Sequence, residues 1–204
     1  VDARLVDLGR ATRIGTVLES VSARVSVAGQ PVDEDGRDLQ EQAKEVQAWN
    51  DSLTEVISPT ERGVLDLTNR YRVMMGLRAV MSDDRLVRCA RGHSQEMPDL
   101  GYFAHESPTP ERRSPSQRAQ LAGWPGGVSE NILQGSTEPK AILGGWLHSS
   151  GHPRNILGPG HTHLGVGGSD NGRYWPQNFS SSRPNPPRPP PDGGRRNPPP
   201  KSGG

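Results

Sequence analysis

One tripeptide, Asp170-Asn171-Gly172, limits this chain more than any other feature. It separates two short stretches of alternating apolar character, His163 to Gly168 and Arg173 to Phe179. Asn and Gly accept the positive φ of a tight turn, so the arrangement predicts a β-hairpin. Before the hairpin, most of the chain reads at helical period. An antiparallel pair needs an apolar face to rest on, and the helices are the available partners. The pattern predicts an α+β fold, with helices packed on a small sheet.

The helical segments are punctuated clearly. Ser58-Pro59-Thr60-Glu61 opens one, with Ser58 as N-cap, Pro59 at the first helical position and Glu61 as the capping-box acid. It runs to about Met75 and stops at Gly76. A second starts at Ser82-Asp83-Asp84, carries Leu86, Ala90, His93 and Met97 along one stripe, and ends near Pro98. A third covers Ser114 to Ala122 and a fourth Glu138 to Ser150. Glu130 to Gln134 is a short strand candidate.

Two appendages flank this region. Residues 1–57 read as a helical hairpin. Leu5, Leu8, Ile14, Leu18, Val21 and Val25 form one apolar stripe over residues 1–28, and Leu39, Ala43, Val46, Leu53 and Val56 form another from Asp38 to about Ile57. Gly29 to Gly36 breaks them. Residues 183–204 hold nine of the chain's 20 prolines, five basic residues and one acidic residue. With almost nothing apolar to bury, that tail is expected to be extended or disordered, as a linker or terminus, or alternatively as a cell-wall spacer or a ligand for a proline-binding module. The organisation expected is therefore a hairpin over 1–57, a main domain over 58–182 and a Pro-rich tail over 183–204.

Charge and cysteine content exclude several classes. The net charge of +1 lacks the concentrated basic surface of a general nucleic-acid binder. A single cysteine, Cys89, excludes an intramolecular disulfide and reads as a core residue. No apolar stretch is long enough to cross a membrane as a helix. The chain opens at Val1, which reads as a mature form or an excised piece. There is no Gly-x-Ser-x-Gly elbow and no phosphate-binding Gly-x-x-x-x-Gly-Lys loop.

All six histidines lie between His93 and His163. His93 falls on an apolar helical stripe, where a core role and a pocket role are both open. His105 follows Tyr102-Phe103-Ala104 just beyond a helix, a loop position anchored by aromatic packing. Glu130 shares a strand face with Ile132, and a carboxylate there needs a partner, either a histidine or a cation. His152 is expected at the C-terminal turn of the fourth helix, stopped by Gly151 and Pro153. His161 and His163 could share a strand face, but His161 follows Gly158-Pro159-Gly160, and a solvated loop is the favoured reading for the pair. His105, Glu130 and His152 could supply two nitrogens and one oxygen to an open zinc site. The same side chains could equally form a buried hydrogen-bond network.

The ordered motifs add a further reading. The chain shows Leu67-x-Asn69-x-x-Arg72, then Ala90-x-x-His93-Ser94, Gly101-Tyr102-Phe103-x-His105 and Glu130-Asn131-Ile132. These are followed by Trp146-x-x-Ser149-x-Gly151-His152, Gly165-Val166-Gly167 and Tyr174-Trp175-x-Gln177-x-Phe179. The set resembles the CAP superfamily of cysteine-rich secretory proteins, antigen 5 and plant pathogenesis-related proteins, in its bacterial SCP-like branch. The resemblance implies an α-β-α sandwich, usually exported, with a central cavity that in the animal and plant branch holds two His and two Glu able to bind zinc or another divalent metal. His105 and Glu130 match the first His and first Glu of that set. Ser149 and Tyr174 stand at the other two positions, and His152 is the expected replacement for the missing histidine.

The reading that follows is an extracellular or cell-envelope domain. Its pocket is formed by His105, Glu130, His152, Ser149, Tyr174, Gln177 and His93, and binds a small ligand, an envelope component or a divalent metal through His105, Glu130 and His152. A metal-assisted hydrolase and a structural adhesion module are the alternatives.

Overall fold

The structure, a computed structural model, describes residues 24–25, 31–33, 35–53 and 56–182. At its start β1 (Arg24–Val25) pairs antiparallel with β2 (Pro31–Val32), Arg24 opposite Val32. The first expected helix therefore does not run through Val25. The rest of its stripe, and the Pro-rich tail, lie outside the described residues. The second arm is α1 (Leu39–Asp51), capped by the Asp38 carboxylate, which accepts from the backbone N–H groups of Gln40 and Glu41. It ends short of Ile57 because Ser52 turns its hydroxyl onto the Trp49 carbonyl at 2.6 Å.

Helix α1 packs on the main domain and covers a sheet edge. Strand β3 (Met81–Ser82) is the outermost strand on its side, and its backbone would otherwise lack partners. The Gln42 amide accepts from the Ala79 N–H at 2.8 Å and donates to the Ala79 carbonyl at 3.0 Å. Asn50 accepts from the Ser82 N–H at 2.7 Å, and the Trp49 indole donates to the Ser82 carbonyl at 3.0 Å. Polar residues on α1 thus do the work of a missing neighbouring strand.

Helix α2 (Pro59–Met74) starts with the expected capping box between Ser58 and Glu61. Then come α3 (Asp84–Leu100), a 3-10 turn (Pro110–Arg112), α4 (Pro115–Leu121), β4 (Ser129–Gln134), α5 (Pro139–Leu147) and α6 (His152–Ile156). The hairpin strands β5 (His163–Val166) and β6 (Tyr174–Ser180) close the chain. Their loop contains the expected turn, in which the Gly172 N–H donates to the Ser169 carbonyl at 2.7 Å with Gly172 at φ +66°.

The sheet order is β3-β5-β6-β4, with β3 parallel to β5 and the other pairs antiparallel. One face carries Leu164, Val166, Trp175 and Phe179. These belong to a core cluster with Val64 and Leu65 of α2, Ile142, Leu143 and Trp146 of α5, and Ile156 of α6. The opposite face meets α3, with α4 beside it, and Leu86, Cys89, Ala119 and Trp124 pack together there. The result is the expected α-β-α sandwich. Cys89 is a core residue: the Asn178 amide donates to its sulfur at 3.4 Å, and burial pushes the thiol up to about 12.

Helix α3 lies unusually close to the strands. A Cβ at Gly165 would sit 2.2 Å from the backbone carbon of Leu86, and one at Gly167 would sit 2.3 Å from the Arg91 nitrogen. Both partners are backbone and cannot swing aside. Gly165→Ala should therefore lower stability by about 3 kcal/mol or more, at the upper end of overpacking costs. Urea unfolding of the variant against the parent chain measures this directly.

Candidate functional site

The site forms where β4, the second outermost strand, is overlapped from both faces. Glu130 comes from β4 and faces the α3 layer; its backbone pairs with Asn178 of β6. Its side chain is 1% exposed, so the carboxylate must be compensated inside the protein. Two groups do so. His105 Nδ1 donates to Glu130 Oε1 at 2.9 Å, and Arg118 Nη2 donates to Oε2 at 2.8 Å. The partner expected from sequence, a histidine or a cation, is both at once.

The first bond fixes the imidazole. A carboxylate only accepts, so Nδ1 of His105 carries the hydrogen and Nε2 of the neutral ring is left as an acceptor. The His105 side chain is 49% exposed while its carboxylate partner is buried. The arrangement presents one oriented nitrogen to solvent from a rigid base.

The loop carrying His105 is pinned along its length. His93, fully buried on α3, donates from Nε2 to the Ala104 carbonyl at 3.0 Å. The same nitrogen lies 3.8 Å from Glu130 Oε1. Glu96 accepts from the Tyr102 hydroxyl at 2.8 Å and the Thr109 hydroxyl at 2.9 Å, and pairs with Arg112 at 3.3 Å. Arg118 also donates to the carbonyls of His105, Arg112 and Arg113 at 3.0, 3.0 and 3.1 Å. Phe103, 46% exposed, tilts against Tyr174 with ring centroids 6.3 Å apart. Tyr174 in turn accepts from Gln134 at 2.8 Å.

His152 arrives from the other face. It does not end the preceding helix, as expected, but opens α6, because the chain turns at Ser149 to Gly151 and restarts. Its carbonyl accepts from Asn131 at 3.2 Å, and Asn155 of the same helix donates to the Glu130 carbonyl at 3.1 Å and to Asn131 at 2.9 Å. These bonds seat α6 on the outer edge of β4. The His152 ring lies near His105; burial, and then the proximity of the His105 imidazole, hold its pKa below the ordinary 6.5. Its Nδ1 is buried with no hydrogen-bond partner.

Other expected pocket residues take different places. Gln177 is fully buried on the α2 face, donating to Thr68 at 3.0 Å and accepting from Asn131 at 3.3 Å, so it supports the α6 seat. Ser149 accepts from the Gly151 N–H at 3.5 Å in the turn before α6. His93 lies beneath the site. His161 and His163 do not lie in a solvated loop: His163 opens β5, as the hairpin pattern expects, and sits against Trp124, and His161 stacks on Phe179 at 5.2 Å. Arg118 was missed. The one available signal was the unexplained charge of Glu130, and nothing in the sequence pointed to α4 as the source of its partner.

The metal reading meets a geometric difficulty. An open zinc site takes three protein donors. Glu130 has both oxygens engaged, one by an imidazole N–H and one by a guanidinium. Among the described residues no group of three or more His, Cys, Asp or Glu side chains is placed to hold a metal ion. The set His105, Glu130 and His152 does not fit zinc as it stands. Cavities of about 380, 610 and 340 Å³ lie beside α1 and β3, between α2 and α5, and between α1 and α2, and none is lined by these three residues.

Comparison with known proteins gives a consistent picture. The family model for the cysteine-rich secretory protein family, CAP, matches residues 65–179. The uncharacterized protein YkwD of Bacillus subtilis is 39% identical over 124 residues, covering 60% of this chain and 48% of that protein. The chain thus spans about half the length of this curated relative. A solved extracellular protein containing an SCP domain, from Bacillus anthracis, is 34% identical with a TM-score of 0.57, over 65% of this chain and 43% of that one. A cysteine-rich secretory protein from Staphylococcus aureus is 14% identical with a TM-score of 0.51, over 63% of this chain and 40% of that one, a likeness of fold alone. No helix among the described residues is long and apolar enough to cross a membrane.

Buried and half-buried histidines also make the fold sensitive to acid. His93, His152, His161 and His163 all have pKa values lowered from 6.5, with burial as the first cause. For His161 burial, and then the Arg72 charge, bring the value to about 4. Between pH 6.5 and about 4 the unfolded chain therefore binds more protons than the folded one, and stability falls as pH drops through that window. The urea midpoint should decrease steadily from pH 6.5 to 4, and His161→Gln should make the decrease shallower.

Proposed function

Because the chain belongs to the CAP family of cysteine-rich secretory proteins, we propose that it is a ligand-binding module of the cell exterior or envelope, with its binding surface at the β4 edge. His105 Nε2 is the hydrogen-bond acceptor for the ligand, and Phe103, two residues before it on the same loop, forms an apolar rim with Tyr174 of β6. The observation that carries this reading is the chain His105–Glu130–Arg118, in which a half-exposed imidazole is oriented by a buried ion pair. A purely structural network would have no need to leave His105 at the surface. The likeness to the extracellular SCP-domain protein of Bacillus anthracis supports the location. The ligand class proposed is an envelope component with a hydrogen-bond donor and an apolar or ring face, since aromatic side chains supply such contact area at low entropy cost.

The metal-assisted hydrolase is the weaker alternative, because Glu130 would have to leave Arg118 to serve as metal ligand or base. An adhesion module acting through another surface predicts that the β4 edge is inert.

The test is co-sedimentation of the chain with purified bacterial cell-wall sacculi and, separately, with lipid vesicles. Binding to one of these should weaken tenfold or more in His105→Ala and in Phe103→Ala. Equal binding by parent and both variants would overturn the reading in favour of adhesion elsewhere. Peptide or ester turnover abolished by His105→Ala would replace it with the hydrolase.

A further inference from the structure

Arg118 occupies an unusual position. It is 4% exposed, yet it is an arginine on a short helix beside the site. Its guanidinium donates to a carboxylate oxygen of Glu130 and to three loop carbonyls, those of His105, Arg112 and Arg113. One planar cation therefore touches both ends of the His105–Glu130 pair: the carboxylate through Oε2, and the histidine through its own backbone. A fixed guanidinium fork suits this bridging in a way that a point charge does not.

We propose that Arg118 is the resident cation of this site and a positioning residue for His105. It compensates the buried Glu130 charge, turns Oε1 toward His105 Nδ1, and so selects the tautomer that leaves Nε2 free. By holding Oε2 it also withholds Glu130 from metal coordination. A divalent ion that approaches the β4 edge meets the imidazoles of His105 and His152, while both oxygens of Glu130 stay engaged. The inference rests on His105 being the ligand-facing group, but its consequences for tautomer and metal are measured without any ligand.

Two measurements on isotope-labelled full chain test it. In the parent protein, nitrogen–proton correlation spectra should show His105 protonated at Nδ1 and bare at Nε2. A zinc titration should perturb the imidazoles while leaving the Glu130 carboxyl carbon signal in place. In Arg118→Met the tautomer preference should be lost, and zinc affinity should rise at least tenfold, an increase that Glu130→Gln in the same background removes. Arg118→Lys should restore the tautomer only in part. The proposal is overturned if zinc shifts the Glu130 carboxyl signal in the parent chain. It is equally overturned if Arg118→Met folds, by circular dichroism, with tautomer and zinc affinity unchanged. Should Arg118→Met fail to fold, the parent titration and Arg118→Lys decide the matter. Because neither readout involves sacculi or vesicles, failure of the ligand reading is distinguishable from failure of this one.

Discussion

The close approach of α3 to the sheet is the constraint on which the rest of the molecule depends. Gly165 and Gly167 leave no side chain between the strands and the backbone of Leu86, Ala90 and Arg91. Helix and sheet are therefore locked in one register. That register puts His93 beneath Glu130 and Cys89 against Asn178. It also lets Arg91 reach Glu61 at the start of α2, whose carboxylate in turn accepts from the Gly168 N–H at 3.1 Å. One acid thereby ties the first turn of α2, the middle of α3 and the loop after β5. Hydrogen bonds from Arg91, Ser58 and Gly168 outweigh the effect of burial on Glu61 and lower its pKa.

On this frame, a second buried acid organises the surface. Glu130 cannot remain in the sheet uncompensated, since an unpaired buried charge costs several kcal/mol, roughly 3–5 when one partner of a buried pair is removed. Its two partners come from a loop and from α4, so satisfying the charge also fixes the loop on the helix. Glu96, on α3, repeats the device, gathering Tyr102, Thr109 and Arg112. The segment from Tyr102 to Arg113 has little regular structure, yet it is held at both ends and near its middle. Rigidity of this kind lets a loop histidine keep one orientation.

The opposite face contributes through amides rather than charges. Asn155, Asn131, Gln177 and Thr68 form a continuous buried chain of hydrogen bonds from α6 through β4 and β6 to α2. Amides both donate and accept, so each link satisfies its neighbours without net charge. This chain seats α6 and brings His152 round the edge of β4 to His105. At the far side of the sheet, Gln42, Trp49 and Asn50 of α1 close the β3 edge in the same way. Both outer strands are thus finished by side chains from helices.

Local chemistry decided what the sequence could show by itself. The capping box at Ser58, the turn at Gly172, the apolar stripe of α3 and the alternation of β6 depend on residues a few positions apart, and each was readable. The ordered motifs pointed to the α-β-α sandwich and to a shared pocket for His105 and Glu130. Helix α6 was hidden because five residues following Gly151 make too short a period to detect, and His152 was accordingly placed at the wrong end of a helix. The two-residue strand β3 had no pattern of its own. Gln177 looked like a pocket residue, but β-strand alternation alone does not tell which face is open. Arg118 was invisible because its partners, Glu130 and the His105 carbonyl, come from other parts of the chain and meet it only after folding. A sequence records which groups need partners. Only the tertiary structure, by bringing β4, α4, α6 and the His105 loop to one strand edge, decides which partners they receive and which nitrogen is left facing solvent.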